Sequence, residues 1–340
     1  MSNRKSKQIL FASAPDGMPD DSTFQLEEVD LPAPQAGEFL VRNVFMSVDP
    51  YMRGRMTTRK SYVAGFQLGK PLEGGAIGQV VESENEKFPV GSYVQSMLGW
   101  REAFVTNGDL ITPVDPNVAP LSAYLGVLGM PGLTAYAGLN LICQPKEGET
   151  IFVSAASGAV GSVVCQLAKA KGVTVIGSAG SDDKIDWLKS EAGVDDAINY
   201  KKVDNLSAEL AKLAPNGIDM YFDNVGSEHL DAALFSMNDF GRIAVCGMID
   251  QYNATNPPPV YNMINTVPRR ILIKGFIVSD HFDLLGDFIS EVGPMIKSGQ
   301  VKYEETIFEG VENAPKAFMG LFSGANKGKM LVRLGPDQAV

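Results

Sequence analysis

Cysteine and histidine are scarce in this sequence of 340 residues. It contains three cysteines, Cys143, Cys165 and Cys246, and two histidines, His229 and His281. The cysteines are scattered and no spacing pairs them, so neither a disulfide framework nor a cluster of metal ligands is indicated. A tetrahedral zinc site needs about four converging N, S or O ligands, and the sequence offers no such set. We therefore expect a protein without a metal site.

Long apolar runs and an excess of positive charge are also missing. No apolar stretch approaches the roughly 20 residues that are needed to span a bilayer. Residues 1–7 are polar and basic and lack the apolar centre that defines a signal peptide. The formal net charge is −11, whereas nucleic acids and anionic membranes attract basic surfaces. We expect a cytoplasmic protein that binds neither nucleic acid nor membrane.

Length and composition indicate a globular protein with two domains. The 340 residues exceed what a single hydrophobic core usually organises. The hydrophobic content of 45% and the charged content of 20% are those of ordinary globular proteins. The pattern divides the chain into residues 1–125, residues 126–299 and a tail of residues 300–340. We expect the tail to pack on the first domain and a ligand cleft to form between the two domains.

Residues 1–125 are rich in short strands and turns. Apolar residues alternate in part over residues 39–48, as in a half-buried antiparallel strand. Residues 74–81 and 91–97 predict further strands with glycine kinks. Residues 56–72 have little periodicity and predict a loop, a kind of segment that often carries function on a rigid scaffold.

Residues 126–299 alternate between short apolar runs and amphipathic stretches. A helix is predicted over residues 123–130, and Pro131 favours the first turn of a second helix. Such alternation predicts a parallel sheet with right-handed crossover connections. The strands of this sheet are expected at 151–153, 173–177, 195–200, 219–224, 242–247 and 271–278. The tail resembles residues 1–125 in its pattern. It predicts strands at 303–308 and 329–334, with a helix at 311–322 between them.

One stretch joins a strand, a glycine-rich turn and a helix without interruption. An apolar run at 151–153 is followed by ASGAVG at 156–161 and then by apolar residues at helical spacing. Gly158 would let the backbone approach a pyrophosphate, Gly161 would let helix and strand pack closely, and the helix N-terminus would supply N–H donors. Ala156 occupies the place of the first glycine in the usual dinucleotide fingerprint. The alternative is a tight turn between buried elements, but the context favours a cofactor site.

The residue about 20 positions beyond the turn bears on the choice of cofactor. An Asp or Glu there would bind the ribose hydroxyls of NAD, and the sequence has Ser178 instead. Ser181 is a plausible N-cap for the next helix, on which Lys184 would meet a 2′-phosphate; the alternative is a solvated lysine. Asp182 and Asp183 favour the helix N-terminus, although their charge opposes a nearby phosphate.

Several segments, in the same order along nearly the whole chain, resemble one family. They are VDPYMR at 48–53, GMPGLTAY at 129–136, AASGAVGS at 155–162, GSAGS at 177–181, FDNVG at 222–226, CGMI at 246–249, GF at 275–276 and NKGK at 326–329. On these motifs the chain resembles the zinc-free branch of the medium-chain dehydrogenase/reductase superfamily, and most of all the alkenal/one reductases, the prostaglandin reductases and their bacterial curcumin-reductase-like relatives. The resemblance implies an α/β protein in which a Rossmann fold, a doubly wound parallel sheet, accompanies a GroES-like β-barrel domain.

The resemblance also implies which residues hold the cofactor, NADPH. They are Pro50, Gly158, Ala159, Val160, Gly161, Lys184, Tyr200, Asn224, Cys246, Gly247, Met248, Ile249, Phe276, Ile277, Val278 and Asn326. Lys184 and Tyr200 would contact the adenosine phosphate, and Asn326 would reach the cofactor from the returning tail. Taken alone, Asn224 is equally consistent with a turn residue, and Cys246 with a small core residue whose backbone passes the cofactor.

Two tyrosines are the candidates for catalysis. Tyr51 and Tyr252 match tyrosines that face the substrate and the nicotinamide in the resembling proteins. A phenol can donate a hydrogen bond to a carbonyl oxygen as charge develops there; the alternative, more common for any tyrosine, is packing in a loop. Some relatives carry a tyrosine where this sequence has Pro268. The group that stabilises the enolate is therefore open among Tyr252, Tyr51 and a cofactor ribose hydroxyl.

The activity that the resemblance implies is NADPH-dependent reduction of the C=C bond in α,β-unsaturated carbonyl compounds, by hydride transfer to the β-carbon. No metal is expected to take part. A homodimer is expected through the apolar strand at 271–278, because exposed sheet edges are usually covered or paired. Two alternatives are a quinone reductase of the same superfamily and a nucleotide-binding protein without catalysis.

Overall fold

The computed structural model describes residues 4–337, which form two compact units. The first unit contains the chain up to Leu125, the segment Glu305–Asn326 and the residues from Met330 onward. The second unit contains Gly126–Glu304 and the three residues Lys327–Lys329. The chain passes from the first unit to the second after Leu125 and returns to the first at Glu305.

Fifteen strands and seven α-helices make up the regular structure of these residues. The strands are β1 (Lys5–Phe11), β2 (Phe24–Asp30), β3 (Phe39–Ser47), β4 (Ala76–Ser83), β5 (Tyr93–Ser96), β6 (Ala103–Thr106), β7 (Thr112–Val114), β8 (Thr150–Val153), β9 (Thr174–Ala179), β10 (Asp196–Asn199), β11 (Ile218–Asp223), β12 (Met237–Val245), β13 (Leu272–Gly275), β14 (Glu305–Glu309) and β15 (Lys329–Arg333). The helices are α1 (Met130–Gly138), α2 (Gly161–Ala170), α3 (Asp182–Ser190), α4 (Leu206–Leu213), α5 (Ser227–Ser236), α6 (Leu285–Lys297) and α7 (Ala314–Ser323). None of these helices has the length and apolar character that crossing a membrane requires.

β3 is the centre of the sheet in the first unit. The strand order is β14-β15-β3-β4-β5-β7, and β6 also pairs with β3. The strand predicted at residues 39–48 is confirmed, but its predicted half-buried alternation is wrong, because all of β3 except Arg42 is buried. The physical reason is that separate apolar clusters, around Val41, Phe45 and Met46, cover the strand along its length.

The returning tail supplies β14, α7 and most of β15 to the first unit. β15 pairs antiparallel with β3, and α7 places Phe318 in the main apolar core of this unit. The Phe318 ring lies edge to face against Trp100 at 6.0 Å and Phe24 at 6.3 Å, and those two rings stack at 5.9 Å. Aromatic pairs add about 0.5–1.5 kcal/mol each beyond the burial of their area. The tail is therefore an integral part of this core.

The second unit is built on a six-stranded parallel sheet. Its strand order is β10-β9-β8-β11-β12-β13, and every neighbouring pair is parallel. The chain steps outward from β8 to β10 and then returns to β11, so the strand order reverses between β8 and β11. In such sheets ligands bind outside the carboxyl ends of the strands at this point. The predicted doubly wound α/β fold is confirmed.

The helix predicted over residues 123–130 is wrong. A 3-10 turn at Leu121–Leu125 takes its place and is followed by further turns. Glycines at 126 and 129 disfavour a continuous helix, since glycine costs about 1 kcal/mol in a helix interior. α1 begins directly after Gly129, which is its N-cap, so Pro131 lies in the first turn as predicted.

The last strand of the parallel sheet is shorter than predicted. β13 ends at Gly275, and a 3-10 helix begins at Val278. β13 has a neighbour on one side only, because it is the last strand in the order. The edge strand predicted late in this sheet is therefore present, although residues 276–278 follow it instead of belonging to it.

Candidate active site

The turn after β8 is shaped by one left-handed residue and one glycine. Ala155 has a φ angle of +46°, in the region that residues other than glycine rarely adopt. The N–H of Gly158 donates to the carbonyl of Ala155 at 2.9 Å. A Cβ atom on Gly161 would lie 2.4 Å from that carbonyl oxygen. α2 can therefore begin this close to β8 only with glycine at position 161, as the fingerprint requires.

The neighbouring strand compensates for the missing first glycine of the fingerprint. The N–H of Ala156 donates to the carbonyl of Ser178 at 2.9 Å, which joins the turn to β9. A Cβ atom on Gly177 would lie 2.9 Å from the methyl group of Ala156. Because β9 has glycine there, the methyl group has room. Alanine at 156 is thus compatible with the close packing of turn and sheet.

The N-terminus of α2 fits the pyrophosphate of a dinucleotide. Val160 precedes the helix and provides no side-chain cap. The N–H groups of Ser162 and Val163 already donate to the carbonyls of Gly158 at 3.0 Å and Val160 at 3.1 Å, so the N–H groups that could face a phosphate are those before Ser162. A Cβ atom on Gly158 would meet only the carbonyl of Ala155 within 4 Å, so the outer side of the turn is open. Exposed N–H groups at a helix N-terminus attract phosphate. The predicted cofactor residues of this turn are brought together here: Gly158, Ala159, Val160 and Gly161.

Two polar side chains, those of Tyr200 and Lys201, lie next to Gly180, directly after β9. A Cβ atom on Gly180 would lie 3.0 Å from the Tyr200 hydroxyl and 3.2 Å from Cε of Lys201. Lys184, on α3, is half-buried, and this burial lowers the pKa of its ammonium group. The negative charge of Asp183 raises this pKa, and the positive charge of Lys201 lowers it further. An anion held between two such lysines would favour their charged forms. Lys201 thus links the two predicted residues, since it lies with Tyr200 beside Gly180 and its charge acts on Lys184. Its place next to Tyr200 in the sequence is the signal that could have identified it.

The acidic residues at the start of α3 are engaged by other groups. Asp182 pairs with the Lys202 ammonium group and accepts a hydrogen bond from Asn199 Nδ2 at 2.7 Å. Asp183 accepts a hydrogen bond from the Ser181 hydroxyl at 2.5 Å. These bonds lower the pKa of both carboxyl groups. Lys202 offsets the charge of Asp182, so the repulsion expected between these acids and a phosphate is reduced.

Ser178 occupies the position where an NAD-selecting acid would lie. Its side chain is fully buried on β9, and its hydroxyl has no hydrogen-bond partner among residues 4–337. A carboxylate at this position would place a negative charge close to the bound ribose. Serine places none there, so position 178 itself carries no charge that would repel a 2′-phosphate.

His229 packs against the ring of Tyr200, a contact that was not predicted from the sequence. The imidazole is buried near the start of α5, stacks on Phe152 at 6.3 Å and meets the Tyr200 ring edge to face at 5.0 Å. Burial lowers the pKa of His229 to about 4, although Asp250 opposes the shift. The imidazole is therefore neutral near pH 7. Its contribution is packing that fixes the orientation of the Tyr200 ring.

A buried polar network joins the carboxyl ends of β8 and β11. The Tyr221 hydroxyl donates to Asp223 Oδ1 at 2.7 Å and lies 3.0 Å from Ser154 Oγ. The same carboxylate oxygen accepts the N–H groups of Val225 at 3.0 Å and Gly226 at 2.8 Å. Burial raises the pKa of Asp223 despite these donors. The network fixes the loop that follows β11.

Asn224 begins that loop and bridges the two central strands. Its Nδ2 donates to the carbonyl of Ser154 at 2.8 Å, and its backbone N–H donates to Ser154 Oγ at 2.9 Å. The side chain therefore does more than form a turn, the alternative role considered for it. It is held at the point where the strand order reverses, the position expected for a ligand contact.

The segment 246–249 is tied to the same loop. The N–H groups of Cys246 and Gly247 donate to the carbonyl of Asp223 at 2.9 and 3.1 Å, and that of Ile249 donates to the carbonyl of Asn224 at 3.3 Å. Burial raises the pKa of the Cys246 thiol to about 12, so this group is a neutral thiol. That state agrees with the interpretation of Cys246 as a small core residue and not a nucleophile.

The phenol of Tyr252 lies over Gly247. Its oxygen accepts the N–H of Met248 at 3.4 Å and would be 3.0 Å from a Cβ atom on Gly247. The backbone N–H of Tyr252 donates to the carbonyl of Ile249 at 3.3 Å. The structure thus brings Tyr252 together with the predicted cofactor residues of the segment 246–249.

The predicted residues that follow β13 stand beside that segment. β12 and β13 are parallel and pair at Val245 and Gly275, so the next residues of both strands emerge at one edge of the sheet. The Phe276 ring packs edge to face on Phe222 at 6.2 Å. A Cβ atom on Gly138 would lie 2.6 Å from Phe276 Cζ, so glycine on α1 makes room for this ring. Ile277 and Val278, the other two predicted residues, are half-buried.

The remaining predicted residues lie in the first unit. Pro50 and Tyr51 open a 3-10 helix at Pro50–Met56. Tyr51 packs against the main apolar core of the unit, and burial, reinforced by the charge of Asp49, raises the pKa of its phenol. Asn326 is half-buried and follows α7. Pro50, Tyr51 and Asn326 therefore belong to one unit, and the other predicted residues belong to the second.

Two family descriptions match this chain. Residues 7–114 match the N-terminal domain of oxidoreductase, and residues 159–291 match the zinc-binding dehydrogenase. Across residues 4–337, however, no three His, Cys, Asp or Glu side chains are grouped so as to hold a metal ion. The matched residues together cover most of the chain, one match in each unit.

Full-length similarity gives a finer assignment. The chain is 46% identical to the 2-alkenal reductase (NADP(+)-dependent) of Nicotiana tabacum over 337 residues, which cover 98% of both chains. It is 39% identical to the NADPH-dependent curcumin reductase of Escherichia coli strain K12 over 340 residues, again 98% of both chains. The crystal structure of CurA in complex with NADPH from Vibrio vulnificus is similar with a TM-score of 0.91 and 42% identity, over 97% of this chain and 100% of the other. The chain belongs to the medium-chain dehydrogenase/reductase family, in the group that includes the 2-alkenal and curcumin reductases.

Proposed function

We propose that this protein is an NADPH-dependent reductase of the C=C bond in α,β-unsaturated aldehydes and ketones. The observation that carries the proposal is the cluster in which Tyr200 and Lys201 lie beside Gly180 and the charge of Lys201 acts on Lys184. Together with the uncharged Ser178, this group suits the 2′-phosphate of NADPH. The names of the relatives, an alkenal reductase and a curcumin reductase, support an unsaturated carbonyl compound as substrate.

NADPH is the cofactor, and each part of it has proposed partners. The turn at 158–161 would hold the pyrophosphate, and the side chains around Gly180 would hold the adenosine phosphate. Asn224 and the segments 246–249 and 276–278 would hold the nicotinamide end. Pro50 and Asn326 are proposed contacts from the first unit. When bound, the cofactor supplies a hydride to the β-carbon of the substrate.

The chain itself must stabilise the negative charge that develops on the substrate carbonyl oxygen. We assign this hydrogen bond to Tyr252, since its phenol is already held in the cluster around Gly247. Tyr51 is the alternative donor; the raised pKa of its phenol keeps it protonated at neutral pH, as a donor must be. A cofactor ribose hydroxyl is the third possibility, and Pro268 has no group that could take this role. We propose that no metal takes part.

A substrate panel followed by NADPH oxidation tests the function. We expect an enal and an enone to be reduced at the C=C bond with the carbonyl retained, which mass spectrometry and NMR of the product establish. Added EDTA should leave the rate unchanged. Faster turnover of a quinone would favour the quinone-reductase alternative. Binding of NADPH without turnover of any compound would favour a nucleotide-binding protein without catalysis.

We propose a homodimer formed through the exposed edge of the parallel sheet. Several large apolar side chains of the second unit are exposed around β13, among them Ile264, Val267 and Leu272. Exposed strand edges and large apolar patches are usually covered by a partner. The net charge of −11 supports a protein without nucleic-acid or membrane partners. The few, scattered cysteines support our proposal of a cytoplasmic location.

Light scattering at micromolar concentration should give the mass of a dimer. Leu272→Lys, which puts a charge on β13 where half of the leucine is exposed, should shift the protein to a monomer. Leu110→Lys is the matched control, because Leu110 is 95% exposed and lies in the first unit. It should leave the dimer intact. A monomeric wild type would refute the proposed interface.

A further inference from the structure

The first unit contains a cleft to which no role has been assigned so far. Its volume is about 350 Å³, which is within the range of small-molecule sites. The loop predicted over residues 56–72 is confirmed, since residues 57–70 contain neither helix nor strand, and it forms one wall of this cleft. Arg55, Phe66, Lys70, Glu73, Leu98 and Arg101 are among the lining residues.

Arg101 is the residue that makes this cleft unusual. Burial lowers the pKa of its guanidinium group, and only the charge of Glu73 opposes the shift. The guanidinium donates to two backbone carbonyls, those of Gly99 at 3.3 Å and Leu72 at 3.0 Å. No carboxylate of the described residues lies within ion-pair distance of Arg101. Arg101 is half-buried, and even partial burial of a charge without an ion-paired partner is unfavourable, so the site favours an added anion.

The backbone holds Arg101 in this position. Trp100, directly before it, is fully buried with a left-handed φ of +61°, a conformation that persists only where the surroundings impose it. The N–H of Ile9 donates to the carbonyl of Trp100 at 2.9 Å, and Asn43 Nδ2 donates to the carbonyl of Arg101 at 2.8 Å. Arg101 is therefore presented to the cleft by a rigid backbone.

The one carboxylate in the cleft is already paired. Glu73 Oε2 accepts from Arg55 Nη2 at 2.7 Å. The Arg55 side chain is only 7% exposed; its Nε donates to the carbonyl of Ala64 at 2.9 Å, and its guanidinium lies 4.1 Å from the centre of the Phe66 ring. Arg55 and Glu73 thus form an ion pair that is held in place in the lining of the cleft, and their charges offset each other. The positive charge of Arg101 is left unbalanced.

Lys70 adds a second positive charge at the rim. Its side chain is exposed, and its backbone carbonyl is anchored by the N–H of Phe11 at 2.9 Å. With Arg55 balanced by Glu73, the cleft carries two positive charges, in a chain whose net charge is −11. Phe66 and Leu98 give it apolar surface beside these charges. Paired cations with an apolar wall suit an organic anion.

We propose that this cleft is a binding site for a small organic molecule with a carboxylate or phosphate group, in which Arg101 and Lys70 bind the anion and Phe66 and Leu98 contact its apolar part. Two sources of the anion share this chemistry. One is the substrate itself: Tyr51 interacts with the Arg55 side chain, so the cleft adjoins a candidate catalytic tyrosine, and this source rests on the proposed function. The other source is a separate acidic metabolite.

A matched pair of enones distinguishes the two sources. The probes are 4-carboxybenzylideneacetone and its methyl ester, which differ only in the anionic group. If the anion belongs to the substrate, Arg101→Gln and Lys70→Ala should raise KM for the acid, the former by at least about tenfold because a charged hydrogen bond is lost. Neither change should alter KM for the ester. Lys87→Ala, which removes an exposed lysine of the same unit outside the cleft, should affect neither substrate.

Direct binding provides a readout that needs no turnover. Isothermal titration calorimetry with saturating NADP⁺ keeps the cofactor site filled while the acid enone or inorganic phosphate is added. Both should bind wild type and Lys87→Ala, and both should bind Arg101→Gln at least about tenfold more weakly. Circular dichroism and thermal melting check that Arg101→Gln is folded; Lys70→Ala, at an exposed position, tests the cleft independently.

Each result has one meaning. Discrimination between acid and ester that Arg101→Gln abolishes supports the site and assigns the anion to the substrate. Binding of phosphate that is lost in Arg101→Gln, with acid and ester turned over alike, supports the site and assigns it to a separate anion. Unchanged binding of both probes in Arg101→Gln and Lys70→Ala overturns the proposal. If neither enone is reduced, the proposed function fails, and the calorimetry still decides on the cleft.

Discussion

Replacing Tyr252 by phenylalanine is expected to lower the turnover number by about 10²–10³, the usual cost of losing one donor to a developing oxyanion. The change removes one hydroxyl and keeps the ring, so the packing of the loop after β12 should persist. Binding of NADPH should weaken much less, because the hydrogen bond acts mainly in the transition state. Steady-state kinetics with an enone, combined with a titration of NADPH binding, measure both quantities.

The chain offers a matched control for this substitution. Tyr261 lies in the same region of the second unit but is 77% exposed, so Tyr261→Phe should leave turnover unchanged. An unchanged turnover number in Tyr252→Phe would exclude Tyr252 as the donor. Tyr51→Phe, in the same assay, would then test the alternative. If both variants retained full activity, the cofactor ribose hydroxyl would be the remaining candidate.

Local features of the sequence were sufficient to predict the centre of the second unit. The strand, the turn and the helix around Gly158 and Gly161 follow one another directly between Thr150 and Ala170, so their pattern can be recognised from neighbouring residues. The substitution at Ala156 could not be evaluated in the same way. The space for its methyl group comes from Gly177, which belongs to another strand and meets it only in the folded chain.

The surroundings of the phosphate site depend on distant parts of the chain. Tyr200 and Lys201 follow β10, whereas His229, which packs on Tyr200, lies on α5. Asp250 acts on both Tyr200 and His229 from the loop after β12. No spacing in the sequence relates these three segments. His229 was missed for this reason. Lys201 was missed although it directly follows Tyr200 in the sequence, whereas Lys184 and Tyr200 were predicted through motifs.

Errors at element boundaries have an energetic cause. Residues 123–130 are mostly apolar and favour a helix by pattern, but Gly126 and Gly129 interrupt it and a 3-10 turn forms instead.

The partial burial of Arg101 could not be predicted either, because an arginine after a short strand is usually solvated. Its position follows from contacts of its backbone with Gln8 and Asn43, which are more than 50 residues away in sequence.

Lys184 is the residue that we expect to select NADPH over NADH. Its half-buried ammonium group lies near Lys201, and burial and that second charge both lower its pKa. A bound 2′-phosphate would relieve the repulsion between the lysines and gain a charged hydrogen bond from one or both. Tyr200 contributes its hydroxyl, which is held 3.0 Å from the Cβ position of Gly180. NADH has no phosphate there and gains none of these contacts.

We therefore expect the enzyme to prefer NADPH over NADH by at least about tenfold in kcat/KM. A hydrogen bond to a charged group contributes roughly 1.5–3 kcal/mol, or about 10- to 150-fold in affinity. Screening by solvent reduces the effect for a phosphate near the surface. Lys184→Ala should raise KM for NADPH by about tenfold or more on the same grounds, and it should leave the kinetics with NADH nearly unchanged.

Lys189→Ala is the matched control for the Lys184 experiment. Lys189 lies on the same helix, α3, and its ammonium group pairs with Asp196 at 2.6 Å, so its loss removes the same charge without touching the site around Gly180. It should change neither cofactor's KM. Equal weakening of NADPH and NADH by Lys184→Ala would mean that Lys184 supports the fold instead of binding the phosphate. An effect on NADPH alone, absent in Lys189→Ala, would assign the selection of NADPH to the contact between Lys184 and the 2′-phosphate and not to the general charge of the helix.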